Sequence, residues 1–282
     1  AYYGNDFRSN PVGTGPFRFK FWEENVKLVL RKNPMYFEKD TQGNRLPYLE
    51  AVAITFLPDK QSEFLQFAQG NIDFMTGLDN SYKDEIITTK GTLQPKYKDR
   101  VQLITTPYLN TEYLGFFMGS TTKEIASPLI RQAINYGFDR EKMVTYLRNG
   151  MAIAATHGFI PKGLAGFDSI QGYSYNPEKA RALINRYKQV TGATSIEVTI
   201  GTNSQYLDLC EYIQRELEKL GISIKIDVMP PATLRQLKSS GELDIFRASW
   251  VADYPDAENY LSLFYSPNFT PNGPNYTHIL KI

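Results

Sequence analysis

Residues 195–250, SIEVTIGTNSQYLDLCEYIQRELEKLGISIKIDVMPPATLRQLKSSGELDIFRASW, carry the reading that decides the fold. Ile196, Val198 and Ile200 alternate with polar residues, the two-residue period of a strand. Tyr206, Leu209, Cys210, Ile213, Leu217 and Leu220 then recur at helical spacing, and Gly221 stops the helix. Ile222, Ile224, Ile226 and Val228 alternate again. A strand–helix–strand run of this kind predicts a right-handed crossover between parallel strands. Thr233 to Ser239 predicts another helix with Gly241 as its stop, and Asp244 to Trp250 another strand. The expected class is α/β, with open mixed sheets flanked by helices.

The same punctuation orders the chain on the N-terminal side. Ser127 ahead of Pro128 is helix-start chemistry, and Leu129, Ile130, Ala133 and Ile134 form one apolar face that ends at Gly137. Asp139 opens a second helix carrying Met143, Val144 and Leu147, stopped by Gly150. Asn176 and Pro177 repeat that start before Ala180, Leu183, Ile184 and Tyr187. Val26–Leu30, Val52–Leu57, Val101–Ile104 and Tyr108–Met118 predict strands. Phe64, Leu65 and Ala68 predict a helix stopped by Gly70, and Ile72 to Phe74 an extended run after it, a short β-α-β pattern. The polar stretch Lys83–Arg100 predicts a surface helix and loop. A change of texture near Thr105, Thr106 and Pro107 divides the chain into domains 1–105 and 106–282.

Composition narrows the function classes. With 31 Lys+Arg against 30 Asp+Glu, the 282 residues offer no electrostatic footprint for nucleic acid or an anionic membrane. Cys210 is the single cysteine, so no internal disulfide forms, and His157 and His278 supply little for a metal cluster. Aromatic residues make up 13%, with 19 Tyr and 17 Phe, which suits broad amphipathic contact surfaces. Gly13, Gly15 and Pro16 begin like a dinucleotide loop, but Arg18 stands where a third glycine belongs and no helix pattern follows. No carboxylate pair sits in an apolar setting that would split its pKa values, and no serine occupies a nucleophile elbow. Nothing in these residues makes a convincing enzyme, and none of them calls for a cofactor.

Ligands of open α/β sheets sit beyond the carboxyl ends of the strands. Arg247 to Asp256 leaves the last clear strand with one of the two Trp residues, a cation and two carboxylates. Asp253 can hold an ammonium, Trp250 can stack, and Arg247 can hold a carboxylate. Asp253, Tyr254, Pro255 and Asp256 are equally turn chemistry, and spacing alone leaves both readings open.

The order of these segments resembles the family 5 extracellular solute-binding proteins of peptide-type ABC transporters. The resemblance is carried by Asn10–Phe17, Leu30–Tyr36, Ile130–Glu141, Phe159–Pro161, Tyr175–Ala180 and Trp250–Asp256, and it covers almost the whole chain. It implies type II periplasmic-binding-protein-like lobes. Residues 1–105 would be the returning part of a first lobe, and 106–282 a second, ligand-binding lobe incomplete at its C-terminus. The chain would then be part of a protein about twice as long, with weak or no peptide affinity by itself.

The resemblance also implies site roles. Asp253 would pair with the α-ammonium of a peptide, Trp250 would line a side-chain pocket, and Arg247 would meet the carboxylate of longer peptides. Tyr108 and Tyr113 would line the cleft where the lobes meet. Lys238 falls where some oligopeptide binders carry an arginine, and Pro231 where some carry an aromatic. The expected partners are a peptide ligand and a membrane-embedded ABC permease, with the binder a monomer outside the cytoplasm, periplasmic or at the cell surface. A lipid anchor, a non-peptide solute such as a nickel chelate or saccharide, and a hydrolase on a two-lobed scaffold are the alternatives left open. Ala1 to Arg8 has neither the basic nor the apolar region of a signal peptide.

Overall fold

The computed structural model of the chain describes residues 3–280, apart from 58, 79–81, 107 and 169. Its contacts divide it into two compact units, Ala1–Lys83 and Asp84–Ile282. The first unit is built on an antiparallel meander of β1 (Phe17–Glu23), β2 (Lys27–Lys32) and β3 (Ala51–Thr55). Trp22 lies opposite Leu28, Leu28 opposite Ile54 and Leu30 opposite Val52, so one face of the meander is apolar. Asn25, at a positive φ of 57°, makes the tight reversal between β1 and β2. Helix α1 (Lys60–Ala68) starts on Asp59, whose side chain accepts from the Ser62 amide at 2.8 Å, and it buries Phe64.

Two expected strands do not form. Ile72–Phe74 lies between Gly70 and Gly77, both at positive φ (79° and 74°), and belongs to no strand, so the short β-α-β pattern is absent. Phe74 is correspondingly 70% exposed. Val101–Ile104 is irregular because the Val101 amide closes a turn onto the Tyr97 carbonyl at 3.0 Å instead of a ladder. Pro58 and Pro107, expected at a strand end and at the domain change, lie outside the described residues.

The stretch 83–100 contains the one-turn helix α2 (Lys83–Ile86) and a 3₁₀ turn at Pro95–Tyr97. It is less superficial than its composition predicts: Ile86 and Ile87 are buried. The Asn149 amide donates to Asp84 Oδ1 at 2.9 Å and to the Ile87 carbonyl at 3.1 Å. These bonds tie 84–87 to Asn149 within the second unit.

The second unit is a four-stranded mixed sheet in the order β4 (Asn110–Phe116), β7 (Ile245–Val251), β5 (Glu197–Thr202), β6 (Ser223–Val228). β5 pairs in parallel with both β6 and β7, whereas β4 runs antiparallel to β7. Between β4 and β5 come α3 (Lys123–Ala126), α4 (Pro128–Tyr136), α5 (Arg140–Leu147) and α6 (Pro177–Thr191). α7 (Leu207–Glu218) is the crossover from β5 to β6, and α8 (Pro231–Ser240) links β6 to β7. Caps follow the sequence: Asp139 and Asn176 accept from the Lys142 and Lys179 amides, and α6 ends on Gly192 in the left-handed region. Ser127 holds the cap position of α4 without a side-chain bond.

Alternation along β7 feeds two cores. Ile245 joins Ile200 and the inward faces of α4, α6 and α7 (Ile134, Ile184, Leu217), while Phe246 and Ala248 pack with Leu234 of α8. Both faces of the sheet are thus covered, as parallel strands require. Leu217 is fully buried, so Leu217→Ala should lower unfolding stability by about 3 kcal/mol through lost transfer energy and a residual cavity. Urea unfolding followed by far-UV circular dichroism reads this; a loss well under about 1 kcal/mol would contradict the packing.

Candidate functional site

β7 ends at Val251, and the loop beyond it leads into the one-turn helix α9 (Glu258–Leu261). Asn259 is buried beneath this loop and its Oδ1 accepts from Trp250 Nε1 at 2.8 Å and from the Asp253 amide at 3.2 Å. Fully buried Tyr260 donates its hydroxyl to the Leu109 carbonyl at 2.5 Å, and the Ala252 amide donates to the same carbonyl at 2.9 Å. The loop backbone is therefore clamped on both sides. Asp256 spends its carboxylate on the Glu258 amide at 2.8 Å, which is turn chemistry. Asp253 differs: its carboxylate is exposed and accepts no hydrogen bond among the described residues. Turn chemistry thus accounts for Asp256, and no such bond is made by Asp253 among the described residues.

A cavity of about 890 Å³ lies within the second unit, at the upper end of the range usual for small-ligand sites. Tyr108, Glu112, Tyr113, Arg148, Phe159 and Arg247 are among its lining residues. Tyr108 is 69% exposed, whereas Tyr113 is half-buried with its ring edge-on to Phe159 at 4.9 Å. Phe159 belongs to the long connection between α5 and α6, and Thr111 Oγ1 pins its carbonyl at 3.0 Å. Burial, chiefly, raises the Tyr113 phenol well above its ordinary pKa, so it stays a neutral donor.

Arg247 and Glu112 meet across the strands. Leu114 lies opposite Arg247 in the β4–β7 register, so Glu112, two residues before Leu114, shares its face. The Arg247 guanidinium donates to Glu112 Oε2 and stacks on the Tyr206 ring. Asn110 Nδ2 donates to Glu112 Oε1 at 3.1 Å. Arg247 Nε and Asn110 Oδ1 are buried with no partner among the described residues. Leaving such atoms unpaired costs about 1–3 kcal/mol each, a cost that binding sites commonly carry.

Of the six residues expected in the site, Arg247, Tyr108 and Tyr113 share the cavity lining, whereas Asp253, Trp250 and Lys238 lie outside it. Lys238 Nζ sits over the Tyr276 ring at 4.0 Å and the Phe246 ring at 5.6 Å. Burial first, then the positive charges of Arg247 and Arg235, push its pKa down to about 8. Burial likewise raises the Cys210 thiol, which fills the core. Sequence reasoning passed over Glu112, Asn110 and Asn259. Glu112 had a usable signal, being a carboxylate in register with Leu114 and Phe116 on an inward-facing strand side. Among the described residues no three His, Cys, Asp or Glu side chains gather as a metal site, and no helix is long and apolar enough to cross a membrane.

The family described as bacterial extracellular solute-binding proteins, family 5, middle, matches residues 1–272. The chain belongs to this family. The probable D,D-dipeptide-binding periplasmic protein DdpA of Escherichia coli K12 is 26% identical over 257 residues, covering 91% of this chain and 46% of that protein. The glutathione-binding protein GsiB of Salmonella choleraesuis is 26% identical over 275 residues, covering 95% of this chain and 50% of that protein. The chain thus spans about half the length of these relatives.

Solved structures place the fold among type II periplasmic binding proteins. The Helicobacter pylori protein DppA, in complex with peptide STSA, superposes with a TM-score of 0.72 at 24% identity, covering 99% of this chain and 52% of its own. NikA from Brucella suis, in complex with Fe(III)-EDTA, gives 0.76 at 18% identity, covering 95% and 53%. These likenesses speak for the α/β architecture that this family 5 chain was expected to have.

Lys238 makes the electrostatics of the second unit testable. Its folded pKa, about 8, is below the roughly 10.4 of a free lysine, so the unfolded chain binds the proton more tightly. Below about pH 8 both states hold the proton and the full cost of the buried charge is present; from there to about 10.4 that cost disappears and stability rises. Thermal unfolding of wild type and Lys238→Met across pH 7 to 11 should show this rise in the wild type alone. Parallel curves would show that the ammonium is not desolvated.

Proposed function

We propose that this chain is the ligand-grasping part of an extracytoplasmic binding component of an ABC importer, and that its solute is a peptide. The observation that carries the reading is Asp253, a carboxylate with no partner among the described residues, on a loop clamped by Asn259 and Tyr260 at the end of β7. Such a group suits a peptide's α-ammonium, and the rigid loop beneath it keeps the ordering cost of binding low. Trp250 is held by Asn259 beside it, and the aromatic residues Tyr108, Tyr113 and Phe159 offer surface for side chains of varied size.

The dipeptide- and glutathione-binding names of the relatives support a peptide, as does the peptide in the Helicobacter pylori complex. On this reading residues 1–105 return through one lobe and 106–282 form most of the other. The ligand lies between lobes whose closure presents one shape to a membrane-embedded permease. The component acts as a monomer in the periplasm or at the cell surface, and releases its ligand chemically unchanged. A nickel-chelate or saccharide ligand would bring no ammonium to the Asp253 carboxylate.

Isothermal titration of the intact protein containing this chain with di- to pentapeptides tests the proposal. Wild type should bind, and Asp253→Ala should weaken binding by roughly 10- to 100-fold, the worth of one charge-assisted bond of about 1.5–3 kcal/mol. Equal affinity of the two proteins would remove Asp253 from the site.

A further inference from the structure

Arg247 is expected to meet a ligand's carboxylate, yet its surroundings present a different group to the cavity. Its side chain is 7% exposed, whereas that of Glu112 is 38% exposed, and both residues line the same cavity. The guanidinium is held on one side by Glu112 Oε2 and covered on another by the Tyr206 ring. Glu112 Oε1 is in turn engaged by Asn110 Nδ2 at 3.1 Å. The Asn110 amide turns its nitrogen toward Glu112, and its Oδ1 has no donor among the described residues. What this stretch of wall offers is therefore acceptor character, the partly exposed Glu112 carboxylate in front of a covered cation.

We propose that Glu112 is a specificity-determining residue. It takes Arg247 out of direct reach of the ligand and makes this part of the cavity a subsite for a hydrogen-bond donor, an amide N–H or an ammonium, rather than for a free carboxylate. The inference rests on the peptide reading above. A ligand carboxylate brought to this point would face Glu112 before it faced Arg247, and it has no hydrogen to donate to the Glu112 oxygens. An amide or ammonium donates to the Glu112 carboxylate. The pair also explains how a cation can be retained among Ile245, Leu114 and Phe116: it arrives already neutralised.

The test uses the intact protein and pairs of tri- and tetrapeptides identical except for a C-terminal carboxylate or carboxamide, measured by calorimetry. Wild type should bind the carboxamide at least as tightly as the carboxylate. Glu112→Gln leaves the guanidinium without its counter-charge and should shift the ratio about tenfold toward the carboxylate, whereas Glu112→Asp should keep the wild-type order. A residue that only supported the fold would change both affinities together and leave their ratio alone. A ratio unchanged within about twofold in Glu112→Gln overturns the inference while leaving the peptide reading intact. If Glu112→Gln does not fold, the wild-type ratio decides, and a preference for the carboxylate of about tenfold or more overturns it. Failure of wild type to bind any of the peptides overturns both readings together.

Discussion

The antiparallel pairing of β4 with β7 is the constraint on which the rest of the second unit depends. It runs without interruption from Asn110 opposite Val251 to Phe116 opposite Ile245, and it joins segments about half the chain apart. Closing so long a loop is costly in entropy, but the cost grows only logarithmically with length, and the ladder returns a full set of backbone bonds. The pairing also needs close approach. A side chain on Gly115 would strike the Phe246 ring, so glycine lets the aromatic lie flat over β4. Once the register is set, side-chain alternation decides everything that follows: Tyr113 goes with the Phe246 core, and Glu112 goes with Arg247.

The parts of the fold that repeat a local rule were legible in the sequence. The strands and helices between 195 and 250 form where alternation and helical spacing place them, and Asp139, Asn176 and Gly241 mark helix ends as their chemistry requires. Short apolar runs misled because a strand needs a neighbour as well as a pattern. Val101–Ile104 and Ile72–Phe74 have the composition of strands, but their backbone bonds are local or absent. Ile86 and Ile87 were hidden the other way, two apolar residues inside a polar stretch that Asn149 draws inward.

The candidate site was legible to a lesser degree, for a reason of the same kind. Asp253, Trp250 and Arg247 sit within seven residues of one another, and a reader of one segment finds them together. Their neighbours come from elsewhere. Asn259 positions Trp250 and Asp253 from the following helix, Leu109 receives Tyr260 from 151 residues away, and Glu112 reaches Arg247 from 135 away. No spacing rule within a segment reports a partner delivered by a strand register. A single inward-facing carboxylate on an apolar strand face was the one available sign, and it points to an unseen cation.

These partners also divide the cations of the second unit by function. Lys238 is desolvated over two aromatic rings and lowers its charge cost by giving up its proton more readily. A guanidinium cannot take that route, because its pKa lies too high for neutralisation by burial at ordinary pH. Arg247 must therefore be neutralised by a partner, and the partner must be near enough to share its burial. Glu112 meets that requirement only by standing at the cavity wall. The stability of the strand face and the polarity seen by a ligand are thus set by one carboxylate. A change that relaxed one would alter the other, which ties ligand preference to the same β4–β7 register that builds the sheet.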